Sequence, residues 1–289
     1  MKKDLHTLQE PPGDRWGSFW TLDKIEIFEK YLKAYLTIMS KQKFKLIYFD
    51  GFAGSGSIDT NIGYDTLIEG IATRTLSINS PISFDMYYLV EKDKKKAETL
   101  KNNIQQKFPE KYSQIHIVAT DCNEKLIRLA DFLSKNKKYR ALAILDPYGM
   151  ALSWNSLVPF KNLGCDMWIL VPTGIGVNRL LPHSGEIDES WMLKLTSFLG
   201  MPNEEILRTF YSKRTTYTLF GEEEQTTKID NAINKVIELY IQQLKTIWKF
   251  VSKPYPMKNS TGSIMFHFLM ASQVEVGVKV ADQIIDKKM

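Results

Sequence analysis

Five short runs of this chain are almost continuously apolar: residues 45–50, 86–91, 115–119, 141–146 and 166–171. They do not alternate with polar residues, and this pattern is typical of parallel strands that are buried on both faces of a sheet. Helical spacing separates several of these runs, most clearly at 93–107 and 123–135. Alternating strands and helices predict an α/β fold, with a parallel sheet covered by helices on both faces.

The segments before the second strand have other patterns. Residues 1–16 are expected to form a loose arm, and residues 21–40 place apolar side chains at helical spacing. A surface helix is therefore predicted before the first strand. Residues 57–85 form a longer connection than one crossover helix needs, so we predict a loop there and a short helix around 69–77.

The pattern changes after the fifth strand. Residues 176–227 predict two helical pieces and one strand at 215–220, and a long amphipathic helix is predicted at 228–247. Two further strand-like runs, 248–258 and 262–273, flank a turn at Asn259-Ser260 and suit a hairpin that closes the same sheet.

We therefore predict three regions. Residues 1–175 hold the arm, the first helix and the core; residues 176–247 are an inserted, mostly helical module with the long helix; residues 248–289 complete the sheet with strands and a helix. A chain of 289 residues is long enough for one large domain that carries such an insertion.

Composition excludes several classes of protein. No apolar run approaches the roughly 20 residues of a membrane span, and the first residues lack the apolar stretch of a signal peptide. Cys122 and Cys165 lack metal spacing and are expected to be reduced thiols in a cytoplasmic protein. His183 and His267 have no second ligand at metal spacing, so we predict no metal site.

The charge leans basic without deciding the partner. The net charge is +5, and lysines cluster at 92–96 and 135–140. These clusters fit either solvated helix ends and loops or a surface that faces the phosphates of a nucleic acid.

Acidic residues close or directly follow the first four predicted strands. They are Asp50, Glu91, Asp121 and Asp146. The carboxyl ends of parallel strands meet at one edge of a sheet, and ligands bind there. Four acids in succession at that edge are hard to explain by packing, so they predict a ligand site.

A loop rich in glycine follows the first strand, at residues 51–56. It lacks the Lys-Ser or Lys-Thr of a phosphate-binding loop and the third glycine of a dinucleotide fingerprint. A pyrophosphate would also be repelled by a rim of carboxylates. S-adenosylmethionine suits this rim better, because it brings an ammonium, a sulfonium and ribose hydroxyls but no phosphate.

The loop resembles the first motif of class I methyltransferases, approximately acid-x-Φ-x-G-x-G. The matching residues are Asp50, Phe52, Gly54 and Gly56. The resemblance implies a mostly parallel Rossmann-like sheet with a C-terminal antiparallel hairpin. It also implies that the loop, including Gly51, approaches the methionine part of the cofactor, with Asp50 near its ammonium.

The same resemblance implies roles for the next two acids. Glu91 is placed to bind the ribose hydroxyls, and Asp121 to accept from the adenine amino group, with Cys122 beside it in the cofactor-binding set. For each acid, the alternative is a helix N-cap or a surface salt bridge.

The fourth strand ends in Asp146-Pro147-Tyr148. This triplet resembles the motif of amino-methylating enzymes, in which an acid or Asn precedes Pro and an aromatic residue. The exocyclic amine of a base is a poor nucleophile, so an acceptor such as Asp146 must hold its hydrogens while Tyr148 stacks on the base. The motif lacks the second proline of D-P-P-Y and is closer to D-P-F-G of guanine-N2 tRNA methyltransferases. The alternative is a tight turn shaped by Pro147 and Gly149.

A closer resemblance, to the three-Cys-motif partner proteins, covers most of the chain. It is carried by Trp16, Trp20 and the segments "YFDGFAGSG", "YYLVEKD", "LDPYG", "VPTGIGVNRL" and "NSTGSIMFHFLMAS". The family resembles methyltransferases and tends to be encoded beside a radical-SAM-like protein with three cysteines, which is therefore a candidate partner. It is associated with a winged-helix-like segment, here within 176–245, which implies nucleic acid as the substrate class.

These observations predict an S-adenosylmethionine-dependent methyltransferase that acts on an exocyclic amino group of a nucleic-acid base. Arg179, just past the fifth strand, is placed either to meet a phosphate or to form a salt bridge with a nearby acid. Two alternatives remain open. One is a degenerate methyltransferase-fold module that binds nucleic acid or a partner protein, and the other is a methyltransferase for a protein or a small molecule.

Overall fold

The computed structural model describes residues 19–58, 68–218 and 221–289. The arm predicted at 1–16 lies outside these ranges. In chain order, the first part consists of α1 (Phe19–Met39), β1 (Lys45–Asp50), β2 (Ser57–Ile58), β3 (Ile68–Glu69), α2 (Ile71–Leu76), β4 (Met86–Glu91), α3 (Lys94–Lys107), β5 (Ile115–Ala119), α4 (Cys122–Lys135), β6 (Tyr139–Leu145), α5 (Trp154–Leu157) and β7 (Cys165–Val171).

The second part begins with a π-helical turn over Thr173–Val177. It continues with α6 (Glu189–Leu199), α7 (Asn203–Phe210), β8 (Tyr211–Thr218), β9 (Gly221–Lys228), α8 (Ala232–Leu244), β10 (Phe250–Val251), β11 (Tyr255–Lys258), β12 (Ile264–Ser272) and α9 (Glu275–Asp286). Within the described ranges, no helix is both long enough and apolar enough to cross a membrane.

Eight strands of the described chain form the central sheet, in the order β10-β12-β7-β6-β1-β4-β5, with β11 also paired to β12. The pairings among β1, β4, β5, β6 and β7 are parallel. β12 runs antiparallel to β7, β10 and β11. This topology confirms the predicted α/β class, a mostly parallel Rossmann-like sheet that antiparallel strands complete.

The chain leaves β1 toward β4 on one side and returns to β6 on the other. Such a reversal of strand order opens a crevice at the carboxyl ends of the central strands, where open α/β sheets bind their ligands. The strand order therefore places the ends of β1, β4 and β6 around one crevice.

Each face of the sheet carries its own apolar core. Trp168 and Leu170 of β7 face the core that α1, α2, α3 and α9 cover, whereas Met167 and Ile169 face the core covered by α4 to α8. Successive side chains of a strand point to opposite faces, so a strand that is buried on both sides must be apolar at every position. This geometry explains the continuous apolar runs in the sequence.

The helices of the inserted segment pack onto the sheet. Phe198 of α6 stacks on Tyr240 of α8 with ring centroids 5.1 Å apart, and Trp154 of α5 meets the same tyrosine edge-on at 5.7 Å. All three side chains belong to the core that also contains β6 and β7. The three predicted regions therefore share their cores within the described chain.

The strand predicted at 215–220 overlaps the end of β8, and its last two residues lie outside the described ranges. A second strand, β9, was not predicted and pairs with β8 in a separate antiparallel sheet. Their sequences, "YSKRTTYT" and "GEEEQTTK", are polar at most positions and lack the apolar alternation that reveals a half-buried strand. Pairing between the two strands includes an ion pair from Lys213 to Glu224 at 3.2 Å.

Candidate functional site

Asp50 is the last residue of β1 and is only 4% exposed. Its carboxylate accepts hydrogen bonds from the backbone N–H of Phe52 at 3.1 Å and from the hydroxyl of Tyr48 at 3.3 Å. The pKa of Asp50 is raised to about 7, mainly by burial and to a smaller extent by the negative charge of Asp146. The hydrogen bonds from Phe52 and Tyr48 and the positive charge of Lys24 lower this pKa but do not outweigh burial. A cation entering beside Asp50 would therefore find a carboxyl group that is short of positive partners.

The glycine loop makes an open turn against the end of β4. Gly54 and Gly56 have φ angles of +63° and +83°, in the left-handed region that side chains disfavour. A Cβ added at Gly54 would meet no atom within 4 Å, so the loop leaves space there. The backbone N–H of Gly54 donates to Oε2 of Glu91 at 3.0 Å, which joins the loop to the second acid.

Gly51 brings the loop against the start of α4. A Cβ at this position would lie 2.5 Å from Sγ of Cys122 and 2.7 Å from Cδ2 of Leu145, closer than real side chains approach. Phe52, the next residue, is half-buried and packs against the core on the α4 face. The glycine loop and the start of α4 therefore line the same cleft.

Glu91 closes β4 and uses both carboxylate oxygens. Oε2 accepts from Gly54, and Oε1 accepts from the backbone N–H of Asp93 at 2.8 Å. Each carboxylate oxygen offers two lone pairs, so both oxygens can also accept from hydroxyl groups. The two contacts orient the carboxylate beside the loop rather than removing it from use.

Asp121 caps the N-terminus of α4, as the alternative interpretation of this residue expected. Its Oδ1 accepts from the backbone N–H of Asn123 at 2.9 Å, and its Oδ2 pairs with Lys92 at 3.2 Å. Burial raises the pKa of Asp121, but the hydrogen bonds from Asn123 and Lys92 outweigh burial and hold it below the ordinary value. The geometry assigns Asp121 a structural role; its role toward adenine stays a prediction.

Cys122 is the first residue of α4, and its side chain is buried. Burial raises the pKa of its thiol, with smaller contributions from Asp121 and Asp50, so the thiol is not an activated nucleophile. Its backbone N–H lies in the first turn, where helix donors have no acceptor within the helix. Any contribution of Cys122 to ligand binding would therefore come from its backbone.

Asp146 follows β6 directly beside Asp50, because β1 and β6 pair in register from Asp50 to Ile144. Its Oδ2 accepts a hydrogen bond from Nζ of Lys24, which is only 5% exposed. Pro147 is buried, and Tyr148 is 64% exposed. The triplet thus places an acid at the crevice and an aromatic ring at its surface.

Lys24 is the residue that sequence reasoning missed. It lies on α1, four positions before Phe28 and seven before Tyr31, both of which are buried. A lysine at that spacing shares the apolar face of the helix, and this was the signal that could have identified it.

Arg179 and His267 were also singled out in the sequence, and neither forms a hydrogen bond or an ion pair with the acids of the crevice in the described residues. Arg179 is exposed in the turn after β7 and forms no ion pair with any residue of the described ranges, so the salt bridge expected as an alternative is not present there. His267 of β12 is buried and hydrogen-bonds Thr173 at 2.9 Å. Burial lowers the pKa of His267 to about 4. In the described chain, no group of three His, Cys, Asp or Glu side chains is arranged to hold a metal.

Neither protein-family models nor curated proteins match this chain. Among solved structures, it is similar to protein LPL1258 from Legionella pneumophila (16% identity over 90% of this chain and 98% of that chain, TM-score 0.43). It is also similar to Trm1 from Pyrococcus horikoshii in complex with S-adenosyl-L-methionine (12% identity, 92% and 67% of the two chains, TM-score 0.38). A third is spermidine synthase from Thermotoga maritima (10% identity, 91% and 62%, TM-score 0.42). Similarities this low give no residue of this chain a role. The Rossmann-like fold follows from the strand order of the sheet.

Proposed function

We propose that this protein is an S-adenosylmethionine-dependent methyltransferase that acts on an exocyclic amino group of a nucleic-acid base. The observation that carries the proposal is the open glycine loop between two carboxylates. Asp50 begins the loop, and Glu91 accepts a hydrogen bond from its centre at Gly54. Both acids stand at the crevice formed by the reversal of strand order.

The residues around the loop fit the parts of this cofactor. The buried carboxyl group of Asp50 suits an ammonium, and the lone pairs of Glu91 suit ribose hydroxyls. The space at Gly54 allows the ligand to approach the backbone. Asp121 and the backbone N–H of Cys122 would face the adenine. When bound, the cofactor supplies a methyl group on a positively charged sulfur.

Asp146 and Tyr148 would act on the acceptor. The lone pair of an exocyclic amine is conjugated into its base, which makes the nitrogen a poor nucleophile. A hydrogen bond from the amine to Asp146 keeps electron density on the nitrogen and orients it, and the proton that the nitrogen loses can pass through this carboxylate to water. Tyr148, which is 64% exposed, is the aromatic residue of the triplet that would stack on an unstacked base.

Nucleic acid as the acceptor is supported by charge and by resemblance. Arg179 is exposed in a turn that follows β7, the strand next to β6, and an exposed guanidinium is suited to bind a phosphate. The resemblance to the three-Cys-motif partner proteins points to the same substrate class. It also makes a radical-SAM-like protein with three cysteines the partner to test first.

Transfer of tritium from labelled S-adenosylmethionine tests the proposal. We expect wild-type protein to label total RNA or total DNA and to leave the proteins of a lysate unlabelled. Asp146→Ala should lower the rate by about 10²–10³-fold, the typical cost of losing an electrostatic partner that acts in the transition state. Calorimetry with S-adenosylhomocysteine should show nearly unchanged affinity, because Asp146 serves the acceptor. Asp131→Ala, an exposed aspartate on α4, is the matched control.

Two outcomes would contradict the proposal. If protein were labelled and nucleic acid were not, the enzyme would be a methyltransferase that acts on protein. Loss of S-adenosylhomocysteine binding or of folding in Asp146→Ala would make Asp146 a structural residue.

A second candidate function has a specific observation in its favour. The ion pair with Lys24 already gives Asp146 a partner, as expected of a degenerate module that keeps the fold and binds without catalysis. Tight binding of S-adenosylhomocysteine by the wild type, without transfer to any of the three pools, would identify that module.

A further inference from the structure

The ammonium of Lys24 is buried at the edge of the sheet where the candidate site lies. Only 7% of its side chain is exposed, whereas 33% of the side chain of its partner, Asp146, is exposed. Removing an ammonium from water costs several kcal/mol, and its attraction to one carboxylate often fails to repay that cost. An ion pair with this geometry therefore contributes little to the stability of the fold. Its position at the crevice suggests a role in the function of the site.

The helix that carries Lys24 is fixed close to this lysine. Lys288 bridges Asp23 and Glu26 of α1 at 2.9 and 2.6 Å. The hydroxyl of Tyr255 donates to the same Asp23 at 3.1 Å. These contacts come from the C-terminal part of the chain and hold Asp23, which precedes Lys24, and Glu26, which lies two positions after it.

Two further contacts fix α1 along its length. Arg74 of α2 pairs with Glu29 at 3.1 Å, and the hydroxyl of Tyr31 donates to the buried Asp166 at 2.9 Å. Asp166 belongs to the start of β7, so α1 is held at the amino end of the sheet as well as at its carboxyl end. The helix backbone is thereby prevented from shifting, and Lys24 meets Asp146 at a defined point.

The two carboxylate oxygens of Asp146 differ in their surroundings. Oδ2 accepts from Lys24, whereas Oδ1 accepts no hydrogen bond from any residue in the described part of the chain. The buried ring of Pro147 follows at once and restricts the backbone next to Asp146. Lys24 holds one oxygen, and the other, which has no donor among the described residues, can accept a hydrogen bond from a ligand.

We propose that Lys24 is a positioning residue for methyl transfer: it fixes one oxygen of Asp146 so that the other is presented to the amine of the target base. This inference rests on the function proposed above. A fixed carboxylate loses less freedom when the acceptor arrives, and a pre-oriented group contributes more to the transition state than one that must first be ordered. Lys24 itself need not touch the base or the cofactor.

The test compares Lys24→Met, which keeps the length of the side chain without its charge, with Lys24→Arg, which keeps the charge. The acceptor is the nucleic-acid pool, RNA or DNA, that wild-type protein labels. We expect Lys24→Met to lower the transfer rate on the order of 10- to 100-fold, the typical cost of removing a contact that orients a functional group. Lys24→Arg should recover most of the rate. Affinity for S-adenosylhomocysteine should stay the same in both.

A double-mutant cycle separates positioning from folding. If Lys24 acts through Asp146, then adding Lys24→Met to Asp146→Asn should cost little more than Asp146→Asn alone. Lys33→Met, on the exposed side of α1, is the matched control. Should Lys24→Met fail to fold, Lys24→Gln takes its place, because it retains a donor without the charge.

Several results would overturn the inference. An unchanged transfer rate in Lys24→Met would contradict the inference. An increased rate would also contradict it, because Lys24 would then be blocking the site. A loss of S-adenosylhomocysteine affinity in Lys24→Met would make Lys24 a cofactor ligand instead. Additive effects in the cycle would also contradict it. If the wild type transfers methyl groups to no pool, the proposed function fails and this inference fails with it, whereas an active wild type with unaffected Lys24 variants contradicts this inference alone.

Discussion

At the scale of single residues, the least ordinary group is the carboxyl of Asp50. It is buried at the end of β1, and its hydrogen bonds from Phe52 and Tyr48 do not replace the water that it loses. The nearby charges oppose each other, since Asp146 disfavours ionisation of Asp50 and Lys24 favours it. Between pH 3.8 and about 7, Asp50 is therefore mostly protonated, whereas an exposed aspartate is ionised.

This retention makes stability depend on pH. Folded Asp50 has a pKa of about 7, whereas an ordinary aspartate has 3.8. Between these two values the folded state binds more protons than the unfolded state, so the stabilising contribution is complete below 3.8 and is lost as pH rises through about 7. We expect the melting temperature of the wild type to fall with pH across this window and that of Asp50→Asn to fall less.

Thermal unfolding at a series of pH values measures this difference. Asp131→Asn provides the control, because Asp131 is exposed on α4 and forms an ion pair with Lys135 in the next turn. Parallel curves for the wild type and Asp50→Asn would show that Asp50 is ionised in the fold throughout.

The sequence predicted where the acids lie but not how they are paired. Parallel strands deliver their last residues to one edge, so the positions of Asp50, Glu91 and Asp146 follow from the apolar runs that precede them. The partner of Asp146 comes from α1, more than a hundred residues earlier in the chain. No local pattern connects Lys24 with Asp146, because their contact depends on how the helix crosses the sheet.

At the scale of elements, the site depends on how closely the glycine loop meets α4. Gly51 lies against Cys122, and a Cβ there would be 2.5 Å from the sulfur. Its φ lies outside the left-handed region, so alanine at this position is opposed by packing and not by backbone conformation. Gly54 is the reverse case, with a φ of +63° and open space around it.

This contrast gives a double-mutant cycle on stability. Gly51→Ala should destabilise the fold by about 1–3 kcal/mol, the usual cost of overpacking. In a Cys122→Ala background the cost should be smaller, because the sulfur is no longer there to clash. Denaturant unfolding of the four proteins measures the coupling. Additive effects would mean that the loop and α4 can move apart without loss.

The helices and strands of the core were predictable to within a few residues, whereas the hairpin of β8 and β9 was not. Helices such as α3 bury one face and leave a helical period in the sequence, whereas strands such as β4 are apolar on both faces and leave a continuous apolar run. The hairpin has polar residues on both faces, and its pairing comes from backbone hydrogen bonds and contacts such as Lys213 to Glu224. Such contacts leave no apolar period to detect.

At the scale of the whole molecule, the inserted helices are part of the main fold. Phe198 of α6 is fully buried in a core that also contains Met167 of β7 and Val236 of α8. A segment that shares its core with the sheet has no apolar interior of its own to keep when the sheet unfolds. The whole described fold should therefore respond to a cavity that is made inside this segment.

We expect Phe198→Ala to destabilise the protein by about 3–5 kcal/mol, the usual cost of removing a buried phenylalanine. Unfolding should remain a single transition, observed equally by far-ultraviolet circular dichroism and by tryptophan fluorescence. Leu193→Ala on the exposed side of α6 should change little. An early partial transition in Phe198→Ala, with the rest of the fold melting as in the wild type, would show that the insertion is an independent unit.

The strand order also has a consequence for how the protein is made. β7 pairs on one side with β6, but its other partner, β12, is encoded after the whole inserted segment. While the ribosome is still synthesising that segment, the free edge of β7 exposes unpaired backbone on a strand made almost entirely of apolar residues. Edges of this kind associate readily with other chains. We therefore expect the free edge of β7 to be a point at which the nascent chain can associate with other chains, until β12 emerges and closes the sheet.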